Sequence, residues 1–200
     1  MTERTETALP AATLDQLFRT ARTYNAFETG EVAQALVHEI YELMKWGPTA
    51  SNCNPGRFVF LTTPEARARL ASHMSSGNRA KTLAAPINVI MAYDLNFAEK
   101  IPFLFPHKPE SKDWFSKPEV AMETAFRNGS LQAAYLMIAA RALGLDCGPM
   151  SGFKEAGVNE EFFKGTSWRA NFICNIGHGT TENLFPRLPR LPFDDACQIL

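Results

Sequence analysis

Apolar positions recur along the chain in two periods, one near 3.6 residues and one near 2. Leu14, Leu17, Phe18 and Ala21 follow a capping-box pattern, Thr13-Leu-Asp-Gln16, and predict a short helix to about Ala21 that carries Arg19 and Arg22 at its end. Val32, Leu36, Ile40, Leu43 and Met44 line one face of a second helix. That helix must stop before Gly47-Pro48, because proline excludes the helical conformation of its predecessor, and a loop from Pro48 to Gly56 follows. Arg57 to Leu61 is β-rich and of strand length, and Thr63-Pro64-Glu65 supplies an N-cap and a first-turn proline for a helix through Met74. Ile87 to Tyr93 is too short and too β-branched for an ordinary helix and predicts a central strand.

Between residues 94 and 118 the chain interleaves Pro102, Pro106, Pro109 and Pro118 with Phe97, Phe103, Phe105, Trp114 and Phe115. Such a stretch cannot hold a long regular element and reads as an aromatic excursion. From Glu123 to Leu143 apolar residues lie on every side, which predicts a buried central helix ending at Gly144. A Gly-rich turn (Cys147 to Gly152), a short helix (Val158 to Phe163), a strand (Asn171 to Ile176) and an extended tail (Phe185 to Pro192) complete the chain. Without an internal repeat or linker, this pattern predicts a single α+β domain over residues 13–200 behind a flexible segment, residues 1–12.

Composition narrows the function. Hydrophobic residues make up 46% of 200, and 20 Lys and Arg face 21 Asp and Glu for a formal charge of -1, so no global field recruits nucleic acid or an anionic membrane. The longest apolar run inside a helix, Ala133 to Ala140, falls short of the roughly 20 residues of a membrane span, and the first dozen residues lack the apolar core of a secretory signal. A cytoplasmic protein is expected. Cys53, Cys147, Cys174 and Cys197 form no C-x-x-C and read as reduced, structural thiols. Fifteen Phe residues are many for this length, and surplus aromatics favour subunit interfaces, so a homodimer is expected.

The standard chemistries find little support. Gly177-His-Gly179 follows a strand but lacks the third glycine and the helix of a dinucleotide fingerprint. There is no P-loop, no H-E-x-x-H and no G-x-S-x-G, and the four histidines form no close pair, so no metal site is expected. What remains is scattered: Arg22-Thr23 at a helix end, Asn78 and Lys81, and the turn from Gly148 to Gly152. One ligand would unite them, flavin mononucleotide (FMN), whose phosphate asks for Arg and hydroxyl donors, whose pyrimidine edge asks for Asn and Lys, and whose N5 asks for a backbone N–H. Each group also has a plainer reading: Arg22 as a helix-end cation, Lys81 as a solvated lysine, the turn as a helix stop.

Several segments then coincide with one family. Lys45-Trp-Gly-Pro-Thr-Ala-Ser-Asn-Cys-Asn-Pro-Gly-Arg-Phe58 resembles the P-S-x-x-N-x-Q-P-W-x-F segment of the nitroreductase family, and Ala21-Arg-Thr-Tyr-Asn-Ala-Phe27 resembles its R-R-S-x-R-x-F opening. Ser76 to Lys81, Gly144 to Phe153 and Arg187-Leu-Pro-Arg190 resemble its later flavin segments, in the family's order, from about Leu14 to Asp195. The malonic semialdehyde reductase subgroup is the nearest in pattern, and the chain resembles it through Lys45-Trp-Gly-Pro-Thr49, Glu123-Thr-Ala-Phe-Arg-Asn128, the run from Ala139 to Phe153 and Phe185-Pro-Arg-Leu-Pro-Arg-Leu191. The resemblance implies an α+β, nitroreductase-like fold with a mixed sheet flanked by helices, a domain-intertwined homodimer, and bound FMN reduced by NADH or NADPH. It implies ping-pong hydride transfer through flavin N5 to a small carbonyl substrate, malonic semialdehyde giving 3-hydroxypropanoate; a quinone or nitroaromatic reductase of aromatic degradation is the alternative.

By matching position, Arg22, Thr23, Arg187 and Arg190 would hold the phosphate, and Thr49, Ser51, Asn52, Asn78 and Lys81 would surround the ring or ribityl chain. Met150, Ser151 and Gly152 would approach N5 and O4, and Asn25 joins the set where the wider family carries a basic residue. Asn54 and Gly56 replace the family's Gln and Trp. No dedicated catalytic residue is required, with Ser51 a candidate proton donor. Arg57 and Arg127 are candidates for a substrate carboxylate, each also readable as an ion-pair partner. The segment 94–118 reads equally as a lid over the flavin or as interface packing.

Overall fold

The chain is seen in a computed structural model whose described residues are 7–200. Four strands, β1 (Gly56–Leu61), β2 (Ile87–Asp94), β3 (Asp146–Met150) and β4 (Trp168–Gly177), pair in the order β1-β2-β4-β3. All three ladders are antiparallel. The resemblance implied a mixed sheet; among the described residues, parallel pairing is confined to the isolated Thr23–Cys147 bridge.

β2 is buried along its whole length because helices cover both faces of the sheet. The strand period of two then sorts its side chains. Ile87, Val89 and Met91 face a core shared with Ile40 and Met44 of α2 (Gln34–Met44) and Leu136 and Ala140 of α6 (Pro118–Ala142). Ile90 and Ala92 face the opposite core, with Leu70 of α3 (Pro64–His73) and Val158 and Phe163 of α7 (Glu155–Phe163). α3 starts as its sequence dictates: the Thr63 hydroxyl accepts from the Ala66 N–H at 3.2 Å, ahead of Pro64.

Several boundaries differ from expectation for identifiable reasons. Of the segment expected to be flexible, residues 1–6 lie outside the described residues, and Ala11 and Ala12 already belong to α1 (Ala11–Leu14). Thr13 sits inside that helix rather than capping it, and α1 continues as a π turn over Asp15–Arg19. The expected turn at Cys147 to Gly152 is instead mostly β3. Pro149 is tolerated there because β3 is an outer strand of the sheet, where a missing N–H costs no ladder bond. A helix not anticipated, α4 (Ser76–Ala84), follows α3 directly. The long helix begins at Pro118, earlier than Glu123, because proline suits a first turn.

The aromatic excursion has no long element. It holds short helical turns, with α5 (Ile101–Leu104) among them, and packs Phe97, Ile101, Phe105 and Phe115 around Cys53 and Tyr93 as a third cluster. The tail is extended over residues 185–192 and ends in α8 (Phe193–Ala196). No described helix is long and apolar enough to cross a membrane.

Candidate functional site: an arginine pocket beside α4

The π turn delivers Arg22 and Thr23 to the outer side of β3, where Thr23 bridges Cys147 and the Tyr24 N–H donates to the Cys147 carbonyl at 3.1 Å. The tail returns to the same place. Arg187 Nη2 donates to the Ala21 carbonyl at 2.9 Å, and the Arg22 guanidinium donates to the Phe185 carbonyl, a reciprocal strap between two ends of the chain. Arg22, Thr23, Asn25, Arg187 and Arg190 thus line one cavity of about 540 Å³. Arg141, from the last turn of α6, lines it too and was not anticipated.

Four guanidinium groups therefore share a cavity whose lining contains no carboxylate. Their protein hydrogen bonds run to backbone carbonyls, at Phe185, Ala21, Leu17, Leu188 and Pro189, and none of the four is in an ion pair among the described residues. Concentrated positive charge without an internal counter-charge favours an anionic ligand, and the planar forks of arginine suit a phosphate.

α4 closes the neighbouring side. Lys81 Nζ donates to Asn25 Oδ1 at 2.9 Å, and Asn25 Nδ2 donates to the Asn183 carbonyl at 3.0 Å. Asn78 Nδ2 and the Ser75 N–H both donate to the Gly152 carbonyl, at 3.1 and 2.9 Å. A Cβ on Gly152 would lie 2.7 Å from Asn78 Nδ2 and 2.8 Å from Ser75 Oγ, so a side chain here would push both of those side-chain ends from their places. The N–H groups of Ser151 and Gly152 have no loop or side-chain acceptor among the described residues. Met150 differs in kind from the other expected site residues: its side chain packs against the core on the α3 and α7 side.

Thr49, Ser51 and Asn52 occupy a different place. Their loop runs before β1, with left-handed backbone at Ser51, Asn52 and Asn54. Two buried side chains one turn apart on α6 hold it: Asn128 Oδ1 accepts from the Ala50 N–H at 2.8 Å, and Gln132 Oε1 accepts from the Gly56 N–H at 2.7 Å. Gln132 Nε2 also donates to Asn54 Oδ1 at 3.1 Å. A Cβ on Gly56 would meet Gln132 Oε1 at 2.7 Å, which accounts for glycine at this family tryptophan position. Asn52 Nδ2 donates to the Leu104 carbonyl at 2.8 Å and so ties the aromatic excursion to the loop. β1 and β3 are the two outer strands of the sheet, three strand spacings or about 14 Å apart. Thr49, Ser51 and Asn52 accordingly do not line the arginine pocket.

The two other candidate arginines are engaged structurally. Arg57 Nη2 pairs with Asp94 Oδ2 at 2.7 Å and stacks on Trp168, and Arg127 pairs with Glu123 one turn away on α6. Arg141, Ser75, Asn128 and Gln132 escaped the sequence reading; the visible signal for the last two was a pair of amides spaced i, i+4 on an otherwise apolar helix. The cysteines also hold a surprise, because Cys147 and Cys174, distant in sequence, are neighbouring buried thiols whose hydrogen bond, together with burial, raises the Cys174 pKa. Burial, with the Asp146 carboxylate nearby, raises the Tyr24 phenol, which stays neutral beside the pocket.

Residues 6–178 match the model of the nitroreductase family. A candidate NADH dehydrogenase/NAD(P)H nitroreductase of Stenotrophomonas maltophilia (strain R551-3) is 58% identical over 193 residues, covering 96% of this chain and 98% of that protein. Another of that description from Rhodopseudomonas palustris (strain TIE-1) is 53% identical over 192 residues, covering 96% and 98%. Among solved structures, a candidate nitroreductase from Exiguobacterium sibiricum in complex with FMN superposes with a TM-score of 0.84 at 18% identity, covering 98% of this chain and all of that one. Sequence and fold agree, and the chain belongs to the nitroreductase family.

Proposed function

We propose that the chain is an FMN-dependent NAD(P)H oxidoreductase that acts as a homodimer. The observation that carries this reading is the cavity of four guanidinium groups without a carboxylate, which fits a phosphate monoester. Arg22, Thr23, Arg187 and Arg190 hold that phosphate, joined by Arg141. Asn78 and Lys81 meet the polar edge of the ring, and the free N–H groups of Ser151 and Gly152 serve its other polar atoms. FMN so held supplies hydride acceptance from NADH or NADPH and hydride delivery to an acceptor, at one site in turn. The chain's own groups bind and orient, and a hydroxyl such as that of Ser51 can pass a proton.

Support for the dimer comes from the sheet and the surface. The loop carrying Thr49, Ser51 and Asn52 lies by the opposite edge of the sheet and does not line the arginine pocket, an arrangement that suits a site completed by a second copy. Large apolar side chains are also exposed on α2, beside its end and on α6: Tyr41, Trp46 (80% exposed), Phe126 and Tyr135. The relatives named for NAD(P)H and the neighbour solved with FMN support the choice of cofactor and reductant.

For the acceptor, the subgroup motifs favour malonic semialdehyde, reduced to 3-hydroxypropanoate. A quinone or nitroaromatic acceptor has its own support in the excursion, where Phe103 and Trp114 expose flat apolar faces on the segment tied to the loop through Asn52. Purified protein should be yellow, sediment as a dimer and bleach on addition of NADH or NADPH. A colourless monomer that FMN cannot reconstitute overturns the proposal. Turnover of semialdehyde, benzoquinone and nitrofuran under one reductant separates the acceptors.

A further inference from the structure

α4 carries both Asn78 and Lys81 and is only nine residues long, so something outside it must hold it in place. At its C-terminal end the Lys81 carbonyl accepts from the Ala85 N–H at 3.1 Å, whereas the Thr82 carbonyl lacks the partner an interior carbonyl has. Two carboxamides from the middle of the sheet meet them. Asn88 of β2 and Asn175 of β4 are directly opposed in the ladder and buried, at 0% and 1% exposure. Asn88 Nδ2 donates to the Thr82 carbonyl at 3.0 Å and to Asn175 Oδ1 at 2.8 Å, and Asn175 Nδ2 donates to the Lys81 carbonyl at 3.1 Å. Thr82, fully buried, donates back to the Asn78 carbonyl at 3.0 Å.

Packing does not ask for this pair. An apolar pair at two opposed core positions would spare the molecule Asn88 Oδ1, which is buried without a partner, but would take from the Thr82 carbonyl its bond to Asn88. What the pair adds is direction. It fixes the turn of α4 from which Lys81 reaches Asn25 and, one turn earlier, Asn78 reaches Gly152. We infer that Asn88 and Asn175 are positioning residues that set where the Lys81 charge stands against the flavin, and through it the flavin's reduction potential and rate of reduction. This rests on the FMN reading above. A cation held close to the reduced, anionic ring stabilises it, and a cation on a loosened helix does so less.

The test is a cycle on the holoenzyme: Asn88→Leu/Asn175→Leu, Lys81→Met, and all three together, read by midpoint potential, anaerobic flavin reduction by NADH, and thermal melting. With Lys81 present, the leucine pair should move the potential negative and slow reduction roughly two- to tenfold, the worth of one net hydrogen bond. With Lys81→Met, the leucine pair should add nothing. In the apo chain, amide exchange over α4 should quicken while that over α3 does not. Equal losses in both backgrounds, or an unchanged potential and rate despite a shifted melting temperature, overturn the inference. If the double variant does not fold, Asn175→Ser, too short to reach the Lys81 carbonyl, is read by the same criteria. A wild-type chain that binds no FMN overturns the functional reading and this inference with it; a normal wild type with an unmoved variant overturns this inference alone.

Discussion

Gln132→Leu isolates the clamp on the loop before β1. The two side chains are of similar length and helix propensity, and position 132 is buried, so the change removes hydrogen bonds with little new cavity or helix cost. Two bonds go: the Gly56 N–H to Oε1 at 2.7 Å and Nε2 to Asn54 Oδ1 at 3.1 Å. At about 0.5–1.5 kcal/mol net each, the apo protein should lose roughly 1–3 kcal/mol. For a chain of this size that lowers Tm by about 2–4 °C per kcal/mol. Ser51, Asn52 and Asn54 hold left-handed backbone that non-glycine residues avoid, and without the clamp they relax toward ordinary conformations. Binding must then restore the loop, and about 1 kcal/mol of that cost weakens FMN roughly fivefold. Urea unfolding of the apo chain and quenching of FMN fluorescence read the two effects. A variant as stable as wild type, or a destabilised one with unaltered FMN affinity, refutes the reasoning.

Arg22→Ala and Arg187→Ala should each weaken FMN about tenfold or more while sparing riboflavin, as charge-assisted bonds to a phosphate contribute about 1.5–3 kcal/mol; equal losses for both flavins in a fluorescence titration would count against phosphate binding there. Gly152→Ala should abolish flavin retention, because its Cβ would displace Asn78 and Ser75, and a yellow variant with wild-type affinity would show the junction to be slack. Burial pushes the Cys53 thiol up to about 11 from 9.0, so the unfolded chain loses its proton first; stability is full below pH 9 and falls as pH rises to about 11. After allowance for solvent screening the loss is about 1–2 kcal/mol, and Cys53→Ala should flatten that part of the pH profile of urea unfolding.

Elements with a strong local signal were legible in the sequence. α2, α3 with its Thr63 cap, β1, β2 and the middle of β4 lie where periodicity and caps put them. α4 was hidden because Ser76-Gly-Asn-Arg-Ala-Lys81 is polar on most faces and its fixing bonds come from Asn88 and Asn175 on distant strands. β3 was hidden because Gly148-Pro149 signals a turn wherever its place in the sheet is unknown. The same holds for the site. Arg22, Thr23, Arg187 and Arg190 could be named from their segments, and they do meet in one cavity. Arg141 could not, since a cation at the end of a helix already has an adequate local explanation.

The sheet's two borders are built differently, and that bears on solubility. On one side Pro149 withholds a donor, and Thr23 and Tyr24 already occupy positions beside Cys147. On the other, β1 has no proline and no strand beside it among the described residues. A sheet that can be extended from a single side admits one further strand and then stops, so pairing of this protein through its borders ends in a closed particle instead of a growing ribbon.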